Sequence, residues 1–146
     1  MSDVYPVESG FAAQANIDRH AYERAYAQAK NDPDAFWGEM AKRLDWYKAP
    51  TVLKDVSYDL KDFRIRWFAD GELNASVNCL DRHLDKRSDQ VALIFEPDSP
   101  DTPAQKITYR ELHARVCKLA NALRSLGVGK GDRVTIYLPM IPEAAV

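Results

Sequence analysis

The sequence predicts an α/β chain in which a helical and extended N-terminal region is followed by the elements of a strand–helix–strand unit. Three observations carry this. Helical apolar spacing appears in the first 44 residues and again, as one long stripe, between Leu112 and Leu126. Short continuous apolar runs lie on either side of that second stripe, at Val91 to Phe95 and Val134 to Leu138. Composition agrees, since 146 residues with 46% apolar and 29% charged side chains can bury a core of their own.

The N-terminal part is read element by element. Residues 1–15 contain Pro6 and Gly10 and no sustained periodicity, so a flexible, extended arm is expected there. Asn16 is positioned to cap a helix from Ile17 to Lys30, with Tyr22, Tyr26 and Ala29 on one face. Asp32 then caps a second helix whose first residue is Pro33, where a missing N–H costs nothing, and Phe36, Met40 and Leu44 form its stripe. From Asp45 to Leu73 the aromatics Trp46, Tyr47, Tyr58, Phe63, Trp67 and Phe68 follow neither a helical nor a two-residue period, which predicts a winding, extended segment. Asn74 or Ser76 opens a further helix with Val77, Leu80 and Leu84 inward.

The second half reads more firmly. Val91 to Phe95 is a short strand, expected to be buried on both sides and ended by Pro97, Pro100 and Pro103, and it is expected to pair with Lys106 to Tyr109 as an antiparallel hairpin with a long tip. Thr108 and Glu111 have capping-box spacing, and the helix they open carries Leu112, Val116, Leu119, Leu123 and Leu126. Gly127 closes it. Arg133 to Leu138 then reads as another nearly all-apolar strand, and Pro142 and Glu143 as the first turn of a helix. Five residues cannot sustain a helix alone, so the chain is expected to be truncated.

Charge excludes some functions. Twenty Lys and Arg oppose 22 Asp and Glu, and a net charge of -2 supports neither nucleic-acid nor anionic-membrane binding. No apolar run approaches the roughly 18 to 20 residues of a membrane span, and MSDVYPVESG is not a secretory leader, so a cytoplasmic protein is expected. Cys79 and Cys117 lack ligand or disulfide-framework spacing and are expected to be buried thiols. Asn74-Ala75-Ser76 matches a glycosylation sequon, a short pattern that matters only in a secreted chain.

Chemical motifs are few. Gly127, Gly129 and Gly131 invite a phosphate-loop reading, but they follow a helix and open a strand, the reverse of the order that aims helix N–H groups at an anion. His20, His83 and His113 sit on separate predicted helices without HExxH spacing, and no GxSxG occurs. On these grounds no catalytic, cofactor-binding or metal-ligating residue is expected within the chain.

A family resemblance adds to this reading. Ile107-Thr108-Tyr109-Arg110-Glu111-Leu112 resembles the first core motif of the acyl-adenylating, AMP-binding enzymes. Trp67 to Asn74 and Asn78 to His83 are similar to the N-terminal region of the acetyl-CoA synthetase family, and Gly127 to Pro142 resembles that family's GDRV-x-IYLPM-x-PE stretch. The resemblance runs from about Tyr22 to Val146. It implies an arm over residues 1–15, a family-type N-terminal region over 16–84, and the start of an incomplete adenylation domain over 85–146.

It further implies a parent ligase that converts acetate, ATP and CoA, with Mg²⁺, to acetyl-CoA, AMP and pyrophosphate through an acetyl-adenylate. The family's phosphate loop, acid pocket and CoA contacts fall outside the matched stretches, so no catalytic role passes to Arg82 or Lys130. By the same resemblance, Leu73 to His83 docks the N-terminal extension onto the remainder of the adenylation domain. Exposed apolar area is expected on Ile107, Ile136, Leu138 and the aromatic segment. Two alternatives stay open: a stand-alone, non-catalytic protein-binding module, and a propionyl- or other short-chain acyl-CoA ligase.

Overall fold

The computed structural model describes residues 5–146; the first four, at the start of the expected arm, lie outside the described residues. The chain is a mixed helix-and-strand structure with short two-stranded sheets, and it divides into two compact units, one ending at Leu73 and one spanning Asn74–Val146.

The first unit holds three helices and a hairpin. Within the segment expected to be extended, Ser9–Ala13 forms a short helix, α1, closed by the Ala12 N–H to Glu8 carbonyl bond at 3.0 Å. Helix α2 covers Arg19–Asn31. Its cap is Asp18 rather than the expected Asn16: the Asp18 carboxylate accepts from the Ala21 N–H at 2.7 Å, and a charged acceptor suits the positive helix N-terminus. Asp32 serves two helices, its N–H closing α2 on the Gln28 carbonyl at 2.8 Å while its carboxylate accepts from Ala35 and opens α3, Pro33–Ala41.

The segment expected to wind contains a β-hairpin instead. Strands β1, Lys54–Ser57, and β2, Arg64–Trp67, pair antiparallel with Lys54 opposite Trp67 and Ser57 opposite Arg64. Four-residue strands rich in Lys, Arg and Asp are too short to reveal a two-residue period. The pairing is held by side chains as well as backbone: Lys54 Nζ lies 5.7 Å from the Trp67 ring centroid, and Arg64 bonds Asp55 at 2.7 Å and also Asp62. Those carboxylates, Asp62 foremost, raise the Arg64 pKa further above its ordinary value.

Below the hairpin, Trp46 organises the turn region. Its indole N–H donates to the Ala41 carbonyl at 2.8 Å, its ring tilts against Phe68 at 5.7 Å, and Gly71 lies hard against its edge. Phe68 has φ 50, a conformation unfavourable for a bulky residue, and it is held there by its N–H on the Leu53 carbonyl and by the Gly71 N–H on its own carbonyl.

The second unit begins at Asn74, whose side chain accepts from the Val77 N–H and caps α4, Ala75–Cys79. The single helix expected through Leu84 breaks at Leu80, giving a 3₁₀ turn at Asp81–His83 and then α5, Leu84–Arg87. Strands β3, Val91–Phe95, and β4, Gln105–Thr108, form the expected antiparallel hairpin, with Leu93 opposite Ile107 and an irregularity between Val91 and Leu93 that leaves Ala92 unpaired. Helix α6, Tyr109–Ser125, starts on the expected capping box: Thr108 accepts from Glu111, and the Glu111 carboxylate accepts from the Thr108 N–H at 2.8 Å. A cap of this kind is worth about 1 kcal/mol over alanine.

Leu80, Ile107 and Leu112 form the core of this unit, with Leu93, Val116 and Val146 packed against them. Ile107 is only 2% exposed, correcting the expectation of an exposed side chain there. Arg133 to Leu138 forms no strand and belongs to no ladder, correcting the expected strand, and its Ile136 and Tyr137 are exposed. A strand apolar on both faces needs partners on its edges and cover on both sides, which one hairpin and one helix do not supply. The expected helical turn near the end is a 3₁₀ turn at Pro142–Ala145.

Both cysteines are exposed, not buried. Each sits one position away from an inward residue, Cys79 beside Leu80 and Cys117 beside Val116, and so faces away from the core that its neighbour enters.

Candidate functional site

The glycine turn after α6 has the geometry of a helix stop. Gly127 has φ 88, its N–H bonds the Arg124 carbonyl at 3.0 Å, and the Val128 N–H bonds Leu123 at 3.1 Å, the paired bonds of a Schellman termination. Gly131 has φ 98, and the Gly129 N–H donates to the Asp132 carboxylate at 2.7 Å. The amides that would cradle a phosphate are thus spent on α6 carbonyls and on a carboxylate of the loop itself, and a fixed negative charge beside Gly129 repels an anion.

His83 and His113 both lie where the Asp81–His83 turn meets α6, and His20 belongs to the first unit. His20 is exposed beside Glu23 on α2, and His83 tilts against the Tyr109 ring at 5.6 Å. His113 has the richest surroundings: its Nε2 is 3.3 Å from Asp81 Oδ1 and 3.5 Å from Cys117 Sγ. Spacing alone could have exposed half of this cluster, because residues 113 and 117 are four apart on one helix face. Asp81 comes from a separate turn and could not be placed from sequence. The thiol lies 3.5 Å from Nε2 and 4.0 Å from Nδ1, and the carboxylate also approaches Nε2, whereas a nucleophile–base–orienter set gives each nitrogen to one partner. The cluster fastens the 3₁₀ turn to α6.

Carboxylates elsewhere have structural duties. Asp70 accepts from the Thr51 N–H and the Val52 N–H, both at 2.9 Å, and from the Thr51 hydroxyl at 2.6 Å. These bonds, the hydroxyl's first, hold its carboxyl well below the usual carboxylate range. A depressed carboxyl stabilises the fold above its unfolded value, near 3.9, and loses that contribution as pH falls through the folded value. The clamp of residues 51–52 onto Asp70 is accordingly expected to persist unchanged from neutral pH through pH 4. Carboxyl titration by NMR carried on to pH 3 checks this, with Asp70 expected to stay ionised there while an ordinary Asp, with a pKa near 3.9, is largely protonated. Glu111 is likewise lowered, chiefly by the Thr108 N–H.

Arg82 reaches Asn78 Oδ1 at 3.0 Å, and Arg110 spans Ser88 and Asp89 at 2.8 and 3.0 Å, tying the first turn of α6 to the residues before β3. Among the described residues, no three His, Cys, Asp or Glu side chains gather so as to hold a metal ion, and no helix is long and apolar enough to cross a membrane. The chain's most distinctive surface is apolar. Leu119 and Leu123 of α6 face Val134, Ile136, Leu138 and Val146 across an open groove, and Ile136 is 70% exposed. Ile136 and Leu138 are thus exposed as expected, and so in the aromatic segment are Tyr47, Tyr58, Phe63 and Trp67, while Trp46 and Phe68 are partly buried. This groove presents apolar side chains to its opening, an arrangement suited to packing.

Comparison with known proteins is consistent along the chain. Residues 22–79 match the family described as the acetyl-coenzyme A synthetase N-terminus, and residues 80–146 match the AMP-binding enzymes. The acetyl-coenzyme A synthetase of Xanthomonas campestris pv. campestris (strain 8004) is 64% identical over all 146 residues. That of Xylella fastidiosa (strain Temecula1 / ATCC 700964) is 61% identical over the same length. The Caulobacter vibrioides protein of the same name is 54% identical over 143 residues, 98% of the chain. The chain spans 23% of the length of the first two of these relatives and 22% of the third.

Proposed function

The chain belongs to the acetyl-coenzyme A synthetase family of AMP-binding enzymes, and from that membership we propose that it is the N-terminal part of an acetate–CoA ligase whose chemistry is completed by residues outside this stretch. The observation that carries the proposal is 64% identity over the whole chain to a protein named for that activity. In the proposed reaction an acetate oxygen attacks the α-phosphorus of ATP and pyrophosphate leaves. The CoA sulfur then attacks the acetyl carbon and AMP leaves. Mg²⁺ would neutralise phosphate charge in the parent enzyme. The described residues gather no ligand set for it, so no step is assigned to it in this chain.

The role proposed for these residues is scaffolding. The capped helix α6 and the β3–β4 hairpin are stable starting elements of the adenylation domain. The exposed apolar side chains of residues 134–140 await burial by its remainder. The proposed setting is the cytoplasm, supported by a nearly balanced charge and by the lack of any membrane-crossing helix among the described residues.

The product of the full reading frame, given acetate, ATP, Mg²⁺ and CoA, is expected to form acetyl-CoA and AMP in equal amounts. Formation of ADP and phosphate would overturn the adenylate route. A preference for propionate over acetate would keep the route and move the protein to the neighbouring specificity. No product with any acid would favour a non-catalytic binding module.

A further inference from the structure

We draw no further inference here: the strongest candidate, the Asp81–His113–Cys117 cluster where the 3₁₀ turn meets α6, carries nothing because carboxylate and thiol share one imidazole nitrogen and no second observation points to a ligand.

Discussion

Replacing Ile107 by Asp is expected to unfold the second unit. Ile107 is 2% exposed, lies opposite Leu93 in the hairpin, and packs with Leu80 and Leu112 at the first turn of α6. No cationic side chain belongs to that cluster, so the new carboxylate would be buried without a partner. Such a change falls among the largest single-residue effects, more than about 4 kcal/mol. Trimming the same side chain to Val removes one methylene and is expected to cost only about 0.5–1.5 kcal/mol. Hydrogen exchange reads the difference: amides of β3, β4 and α6 should lose protection in Ile107→Asp and keep most of it in Ile107→Val. Equal protection in both variants would mean that Ile107 is not the centre of this core.

The second large effect is expected in the first unit, from the smallest possible substitution. A Cβ on Gly71 would lie 2.7 Å from Trp46 Cζ3 and 3.1 Å from Pro50 Cβ, inside normal contact distance. The indole cannot swing aside freely, because its N–H is bonded to Ala41 at 2.8 Å and Phe68 leans on the ring. Gly71→Ala should therefore destabilise by about 1–3 kcal/mol through overpacking. A contrasting variant is Gly10→Ala, where the added carbon meets nothing within 4 Å. Fluorescence-monitored denaturation should show a lowered midpoint for Gly71→Ala and none for Gly10→Ala. An unchanged midpoint in the first would show that the Trp46 ring has room to move.

How far the fold could be read from the sequence depended on how local its causes are. The Asp32–Pro33 start, the Thr108–Glu111 box and the Gly127 stop are set by residues three or four apart, and each stands where spacing placed it. The β1–β2 hairpin escaped because its order comes from cross-strand partners, Lys54 with Trp67 and Asp55 with Arg64, the latter nine positions apart and the former further, within strands of four residues. The break at Leu80 left no trace in the spacing: Leu80 is buried in the core, as an unbroken helix would also place it, while its backbone leaves helical geometry.

Residues 133–138 show the opposite case. The apolar run expresses a preference for a sheet interior, but preference alone supplies no neighbouring strand, and the segment stays unpaired. For the candidate site, sequence spacing read the glycines after α6 as a turn, and Gly127 stands at the helix stop where it was placed. It did not anticipate Asp81 beside His113, since that contact joins two elements separated by the whole hairpin.

These residues are proposed to supply scaffold, with adenylation needing the rest of the family's length. Acetate-dependent exchange of radiolabelled pyrophosphate into ATP tests this most directly, because exchange reports adenylate formation alone. The 146-residue chain and the product of the full reading frame would be assayed side by side. Exchange by the long product and none by the short chain is the predicted result, and exchange by the short chain alone would contradict it.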